Sequence, residues 1–289
     1  MSSTNEVAII GLVLLSSALH AAWHSFIKIS NNRFITYSIV NVFAALSVIP
    51  FLVLNPRIAE ESIPWLVASI ALHLIYKVVL ILAYRHHDFS VVFPISRGTA
   101  PIFIVAFLFL FGEKSLPSAA LFLILALGVV ISSLAFFSGA QRDRSSARPF
   151  LYAVLSAVIT ASYTVIDGLG AKASEAPLTF IFWMYLFDGL VFPAAAAITY
   201  KKTIVEEIRK HWKNGFLAGA FSVASYAIIV YAMTKLDIAI VAAIREINIV
   251  FALLIAIFIL RENVPARRIV MAIAISVIVA ALSYVRISK

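Results

Sequence analysis

The sequence contains no cysteine, which removes disulfides, thiol nucleophiles and thiolate metal sites at once. Charge is scarce as well. Asp, Glu, Lys and Arg make up 13% of the 289 residues, against about a quarter in a soluble domain. No Walker-type Gly-Lys motif occurs, so direct use of ATP by this chain is not expected. No close acid–base–nucleophile set stands out, and no polar stretch is long enough for a soluble catalytic domain; the chain reads as a non-enzyme without a cofactor. What is abundant is apolar: 63% of residues are hydrophobic. The net charge of +9 does not point to nucleic acid, because the basic residues sit mostly in short loops beside apolar runs, where they orient membrane spans. The fold class is therefore an all-α polytopic membrane protein.

Ten apolar spans of roughly 20 residues, the length a bilayer core requires, are legible. They cover 7–28, 34–54, 64–84, 92–111, 117–138, 149–171, 178–199, 214–233, 239–260 and 265–286. Turn and charge signals such as Asn31-Asn32-Arg33, His86-His87-Asp88, Gln141 to Arg148 and Arg261-Glu262-Asn263 separate them. MSSTNEVAII has no basic residues before its apolar run and reads as the start of a first membrane helix, not as a cleaved signal. Lys and Arg concentrate in the loops after spans 1, 3, 5, 7 and 9, which places those loops in the cytoplasm and both termini outside. The basic segment KKTIVEEIRKHWK from Lys201 spaces Ile204, Val205, Ile208 and Trp212 on one helical face, and is expected to lie along the membrane surface as a linker.

The two halves, 1–140 and 141–289, look like copies. A shift of 149 residues places Asp88 on Asp237, Ile95 on Ile244, Phe109 on Phe258 and Glu113 on Glu262, and it places Arg97 on Glu246. In the first spans a shift of 140 places Ser16 on Ser156 and Trp23 on Tyr163. Five spans per copy is an odd number, so the second copy is inverted. Inverted repeats with a binding site between them at mid-bilayer are a transporter architecture.

The stretch Val91–Glu113 is apolar enough to cross the bilayer, yet carries Arg97, at a cost of about 3 kcal/mol on insertion scales. Pro94 and Pro101 bracket it. Pro101 has no N–H for the Arg97 carbonyl, so with Gly98 a weakened turn is expected beside the buried cation. Polar stripes recur elsewhere: His20, His24 and Lys28 beside Trp23; His73, Tyr76, Lys77 and Tyr84; Ser156, Thr160, Tyr163, Thr164 and Asp167; Trp183, Tyr185 and Asp188; Ser222, Ser225 and Tyr226; Arg245, Glu246 and Asn248. Three intramembrane cations, Lys77, Arg97 and Arg245, face three anions, Asp167, Asp188 and Glu246. Structural salt bridges between the repeats account for these six without any substrate. A ligand carrying both signs accounts for them too: Arg binds carboxylate or phosphonate bidentately, and aromatic walls take an ammonium. In that case Arg97, Lys77 and Arg245 hold the anionic end. Asp167, Asp188 and Glu246, with Trp23, Tyr76, Tyr163 and Tyr226, hold the cationic end, and His24 lies beside Trp23. Candidate proton carriers are His20, Asp167, Asp188 and Glu246. His20 and His24 have the spacing of a metal pair but lack a third ligand at comparable spacing, so no metal site is assigned.

The whole chain, about residues 7–286, resembles a ten-span EamA-type member of the drug/metabolite transporter superfamily. HAAWHSFIK (His20–Lys28), FPISRGTAPIF (Phe93–Phe103), the Gly112-Glu113 pair and IREINIVFALLIAIFILREN (Ile244–Asn263) carry the resemblance. It implies two inverted five-span repeats, a cavity walled mainly by spans 1, 3, 4, 6, 8 and 9, and export of small metabolites from a bacterial cytoplasmic (inner) membrane. It also implies that Glu113 and Glu262 are span-end structural anchors. The family often has Asn after the span-1 Trp, where this chain has His24. The HAxW and SRG features also resemble a branch associated with phosphonate utilisation. The expected partners are a small amphoteric metabolite, such as an amino acid or aminophosphonate, and membrane lipid; the short loops suit a monomer or a helix-packed homodimer. Three rivals stand beside this: a cation, multidrug or quaternary-amine exporter that needs Asp167 and the aromatics but not Arg97, a lipid-linked sugar flippase, and a non-transporting scaffold or receptor.

Overall fold

The computed structural model describes residues 3–28, 33–86, 89–112, 116–133, 148–200 and 202–288. These residues form helices and connecting turns, with no strand among them. In chain order the helices are α1 (Ser3–Lys28), α2 (Arg33–Leu54), α3 (Ile63–His86), α4 (Phe89–Leu110), α5 (Ser118–Ser133), α6 (Arg148–Ala173), α7 (Pro177–Tyr200), α8 (Lys202–Lys235), α9 (Ile238–Arg245), α10 (Asn248–Leu254) and α11 (Ala266–Ile287). Helix α10 runs on into a π-turn, Ile255–Ile259, so α9, α10 and this turn make one interrupted rod. Seven helices are long and apolar enough to cross a membrane, and three shorter apolar segments, Ile95–Leu110, Ser118–Ser133 and Pro177–Val191, accompany them. Glu113, the turns at Asn31-Asn32 and His87-Asp88, and the boundary between 140 and 141 lie outside the described residues, as do the side chains of Lys28, Tyr84, Pro94, Ile204 and Val205.

Helix contacts link the first five elements to the later ones throughout. Helix α2 packs on α7 and α8, α1 on α8 and the α9–α10 rod, α3 and α4 on α6, and α5 on α4 and α11. The α9–α10 rod is the best buried: every residue from Ile238 to Asn248 is enclosed, and the largest apolar cluster runs through Ile238, Ile240, Val241 and Ile244. At one end of the bundle, Arg286 of α11 bonds Glu6 of α1 at 3.0 Å and lies 3.8 Å from Asp237 in the α8–α9 turn. The turns before α3 and after α6 also meet, through Ala59 N–H donating to the Ser174 carbonyl at 3.2 Å. Chain ends and alternate turns thus meet in pairs, as they do when every rod crosses the same layer.

Two local expectations are corrected. The weakened turn expected at Gly98–Pro101 is absent, since α4 is continuous through it. Gly98 instead serves close packing. A Cβ there would lie 2.6 Å from the Gly128 carbonyl oxygen and in collision with Ser132 Oγ, because α4 and α5 approach backbone to backbone. Pro101 removes one hydrogen bond, which that packing outweighs. The break occurs at the position 149 residues on, between Arg245 and Asn248, where no proline or glycine marks it. Gly98→Val is expected to destabilise the protein by about 1–3 kcal/mol through overpacking, seen as a lower melting temperature in detergent.

The segment from Lys201 is likewise no separate surface linker. From Lys202 it forms the opening turns of α8, a 34-residue helix. At 1.5 Å per residue that is about 51 Å, well beyond a hydrocarbon core of roughly 30 Å. Ile208 anchors this extension on Ile35 and Ile39 of α2. Asn214-Gly215 is a turn signal, yet the helix continues through it because Gly215 packs closely on α2, where a Cβ would collide with Ile39 and lie 3.1 Å from Phe43 Cδ2.

The two C-terminal caps correspond across the shift. Gly112 follows α4 at φ +75°, and Arg261 follows the π-turn at φ +54°. Glu262 N–H then donates to the Ala256 carbonyl at 2.9 Å, closing the helix end. Glu262 itself is exposed there.

Candidate functional site

The intramembrane polar residues converge from α1, α2, α3, α4, α6, α7, α8 and the α9–α10 rod. Arg97 of α4 reaches the α9–α10 break, where its Nη1 lies 3.3 Å from Glu246 Oε1. The two residues are 149 positions apart in the chain. Arg97 Nη2 also lies 3.1 Å from His20 Nε2 of α1. His20 sits against Trp23 and His24, with ring centroids 5.4 and 4.5 Å away, and the Trp23 and His24 rings are 3.7 Å apart. Trp23 is buried on Val40 and Ala218, whereas His24 is exposed.

Lys77 of α3 and Asp188 of α7 form a second pair, with Nζ 2.5 Å from Oδ2 and both residues 4% exposed. Lys77 also donates to Asn41 Oδ1 of α2 at 3.0 Å and lies 5.6 Å from the Tyr37 ring centre. Asn41 and Tyr37 were not candidates on sequence; a lone Asn in the middle of an apolar span was the signal that pointed to the first.

The third carboxylate has no Lys or Arg partner among the described residues. Asp167 of α6 is fully buried, and its Oδ2 accepts the Tyr226 hydroxyl at 2.5 Å and lies 2.9 Å from His73 Nε2. Aromatic rings close around it: Tyr163 is 4.3 Å from His73, and Tyr76 is 5.6 Å from Tyr163. Tyr185 donates to the Ser222 carbonyl at 2.9 Å, tying α7 to α8 beside this wall. Of the sequence candidates, Tyr76, Tyr163, Asp167 and Tyr226 thus form one group, Arg97, Glu246 and His20 a second, and Lys77 with Asp188 a third.

Arg245 belongs to neither ion pair. It is 5% exposed and makes no ion pair among the described residues. Ser17 Oγ of α1 shares its proton between the Val13 carbonyl of its own helix, at 2.9 Å, and the Arg245 carbonyl, at 3.2 Å, which places the break beside α1. Several buried polar atoms near these groups find no protein partner. The acceptors are Asp167 Oδ1, Asp188 Oδ1 and Glu246 Oε2; the donors include Trp23 Nε1, Arg245 Nε and Asn248 Nδ2. Orphaned buried groups cost about 1–3 kcal/mol each, so native proteins keep few of them without a reason.

No curated protein matches the chain. A solved crystal structure, described only as that of a protein, matches over 98% of this chain and 98% of its own at a TM-score of 0.73 and 16% identity, a likeness of fold. Residues 148–285 match the EamA-like transporter family. Together with the apolar helices, that match points to a multi-pass membrane protein whose residues 148–285 are similar to the EamA-like transporter family.

Proposed function

We propose that the chain is a secondary transporter, working as an exporter by alternating access, for a small amphoteric metabolite of the amino acid or aminophosphonate type. One observation carries the substrate class. Among the described residues, Lys77 is paired with Asp188, Arg97 with Glu246 and, at the bundle end, Glu6 with Arg286; the buried charges left without an Asp, Glu, Lys or Arg partner are one guanidinium, Arg245, and one carboxylate, Asp167. Each retains an unpartnered atom, Arg245 Nε and Asp167 Oδ1. A substrate with one charge of each sign would complement both. This narrows the sequence-level assignment: Lys77, Arg97, Asp188 and Glu246 act chiefly as framework, while Arg245 holds the anionic end. Asp167 with Tyr76, Tyr163 and Tyr226 holds the cationic end.

Ten spans in two inverted five-span repeats are part of this proposal. The Arg97–Glu246 pair supports it, because residues equated by a two-fold relation meet only near its axis. So do the matched helix ends at Gly112 and Arg261. A bacterial cytoplasmic membrane with both termini outside follows from the family and the basic odd-numbered loops. No catalytic step is assigned.

The test is exchange of a labelled amino acid or aminophosphonate in proteoliposomes. Arg245→Gln and Asp167→Asn are each expected to lower exchange by roughly ten- to a hundredfold, the equivalent of about 1.5–3 kcal/mol for a lost charge-assisted bond. Exchange of a quaternary amine that needs Asp167 but survives Arg245→Gln would instead establish the cation exporter, which the aromatic wall around Asp167 favours.

A further inference from the structure

Resting on that proposed function, the geometry points to an oxyanion-binding subsite at the α9–α10 break, formed by Arg245 and Asn248, that receives the carboxylate or phosphonate of the substrate.

The backbone through the break is tightened. Glu246 N–H donates to Ala243, Ile247 to Ile244, Ile249 to Glu246 and Val250 to Ile247, at 2.9–3.1 Å, each over three residues instead of four. With such bonds, side chains three positions apart eclipse one another. Arg245 and Asn248 therefore project together from one side of the rod. Both are more than nine-tenths buried, at 5% and 4% exposure, and each carries a donor without an acceptor: Nε of Arg245 and Nδ2 of Asn248. The carboxylate between them in sequence, Glu246, is directed to Arg97 by its 3.3 Å contact and does not occupy these donors. The shared Ser17 hydroxyl bond to the Arg245 carbonyl places the pair of donors beside α1. Two adjacent N–H donors, one of them charged, fit a group with at least two oxygens sharing a negative charge. A quaternary amine or an apolar ligand would satisfy neither. The corresponding residues of the first half, Ser96 and Thr99, lack this chemistry, and Thr99 Oγ1 already donates to the Ile95 carbonyl at 2.7 Å. The subsite is thus a property of the second half alone, which orients the substrate in one direction.

The probes are propionate and methylphosphonate, which carry only the anionic end, and glycine and aminomethylphosphonate, which carry both. Binding to the purified protein is followed by thermal shift at constant ionic strength, with chloride as control. Asn248→Leu is expected to weaken the anionic probes about tenfold or more, Asn248→Asp to abolish their binding by like-charge repulsion, and Asn248→Gln to restore part of it. Size-exclusion profiles of the three variants separate these effects from misfolding. Anionic probes that bind in an Asn248-dependent way establish the subsite even where glycine gains nothing over propionate, an outcome that defeats the amphoteric reading alone. Zwitterions that bind equally to wild type and Asn248→Asp would overturn the subsite and leave the amphoteric reading standing. No shift with any anionic probe would also overturn it.

Discussion

Replacing Arg97 with Ala is expected to cost about 3–5 kcal/mol of stability as well as transport, because it strands the Glu246 carboxylate in a buried, apolar surround. Arg97 and Glu246 are 9% and 2% exposed, and they join α4 to the α9–α10 break. The pairing with Glu246 makes that cost structural as well as functional. Glu246→Ala should behave alike, leaving a guanidinium beside His20. The double reversal Arg97→Glu with Glu246→Arg is the sharper test. The reversal exchanges the two charges and keeps their sum. It is expected to recover most of the lost melting temperature relative to either single variant, in detergent-solubilised protein. Additive losses in the double variant would mean that the two residues do not act as a pair.

The second large effect is expected at Lys77 and Asp188. Their 2.5 Å contact crosses from α3 to α7, and Asn41 adds a link to α2. Lys77→Met leaves an uncompensated carboxylate and should destabilise by about 3–5 kcal/mol. Lys77→Met with Asp188→Leu removes both charges. A buried ion pair replaced by apolar residues of similar size is often neutral or better. The double variant should therefore approach wild-type stability and retain exchange of the substrate, because this pair belongs to the framework. Loss of exchange in a stable double variant would return Lys77 and Asp188 to the binding site.

Much of this was legible in the sequence, and the physics explains why. Apolar run length fixes membrane helices closely, since each must satisfy its own backbone in lipid. Every intramembrane charge was visible too, because such residues stand out against a composition with 13% charge. Their pairing was not. Arg97 and Glu246 emerged as corresponding residues from the 149-residue shift, but only three-dimensional contact shows that they bond each other. Asn41 and Ser17 were not legible because a short polar side chain in an apolar helix often bonds its own backbone, as Asn41 Nδ2 does with the Tyr37 carbonyl at 2.7 Å and Ser17 Oγ with the Val13 carbonyl at 2.9 Å. The helix break was sought at Gly98 and Pro101, where local chemistry weakens a helix. Tertiary packing kept that helix intact and broke the corresponding rod instead. The opening turns of α8 have the basic, amphipathic pattern of a linker and end at Asn214-Gly215; close packing of Gly215 on Ile39 and Phe43 keeps the helix continuous, which the sequence does not reveal.

The central claim is that a substrate of both signs is held between Arg245 and Asp167. Counterflow of labelled glycine, aminomethylphosphonate and a quaternary amine in proteoliposomes tests it most directly, with wild type, Arg245→Gln and Asp167→Asn side by side. Counterflow of a zwitterion that disappears in both variants, with none of the quaternary amine, is the expected result. Counterflow of the quaternary amine that survives Arg245→Gln, with no counterflow of either zwitterion, would contradict it.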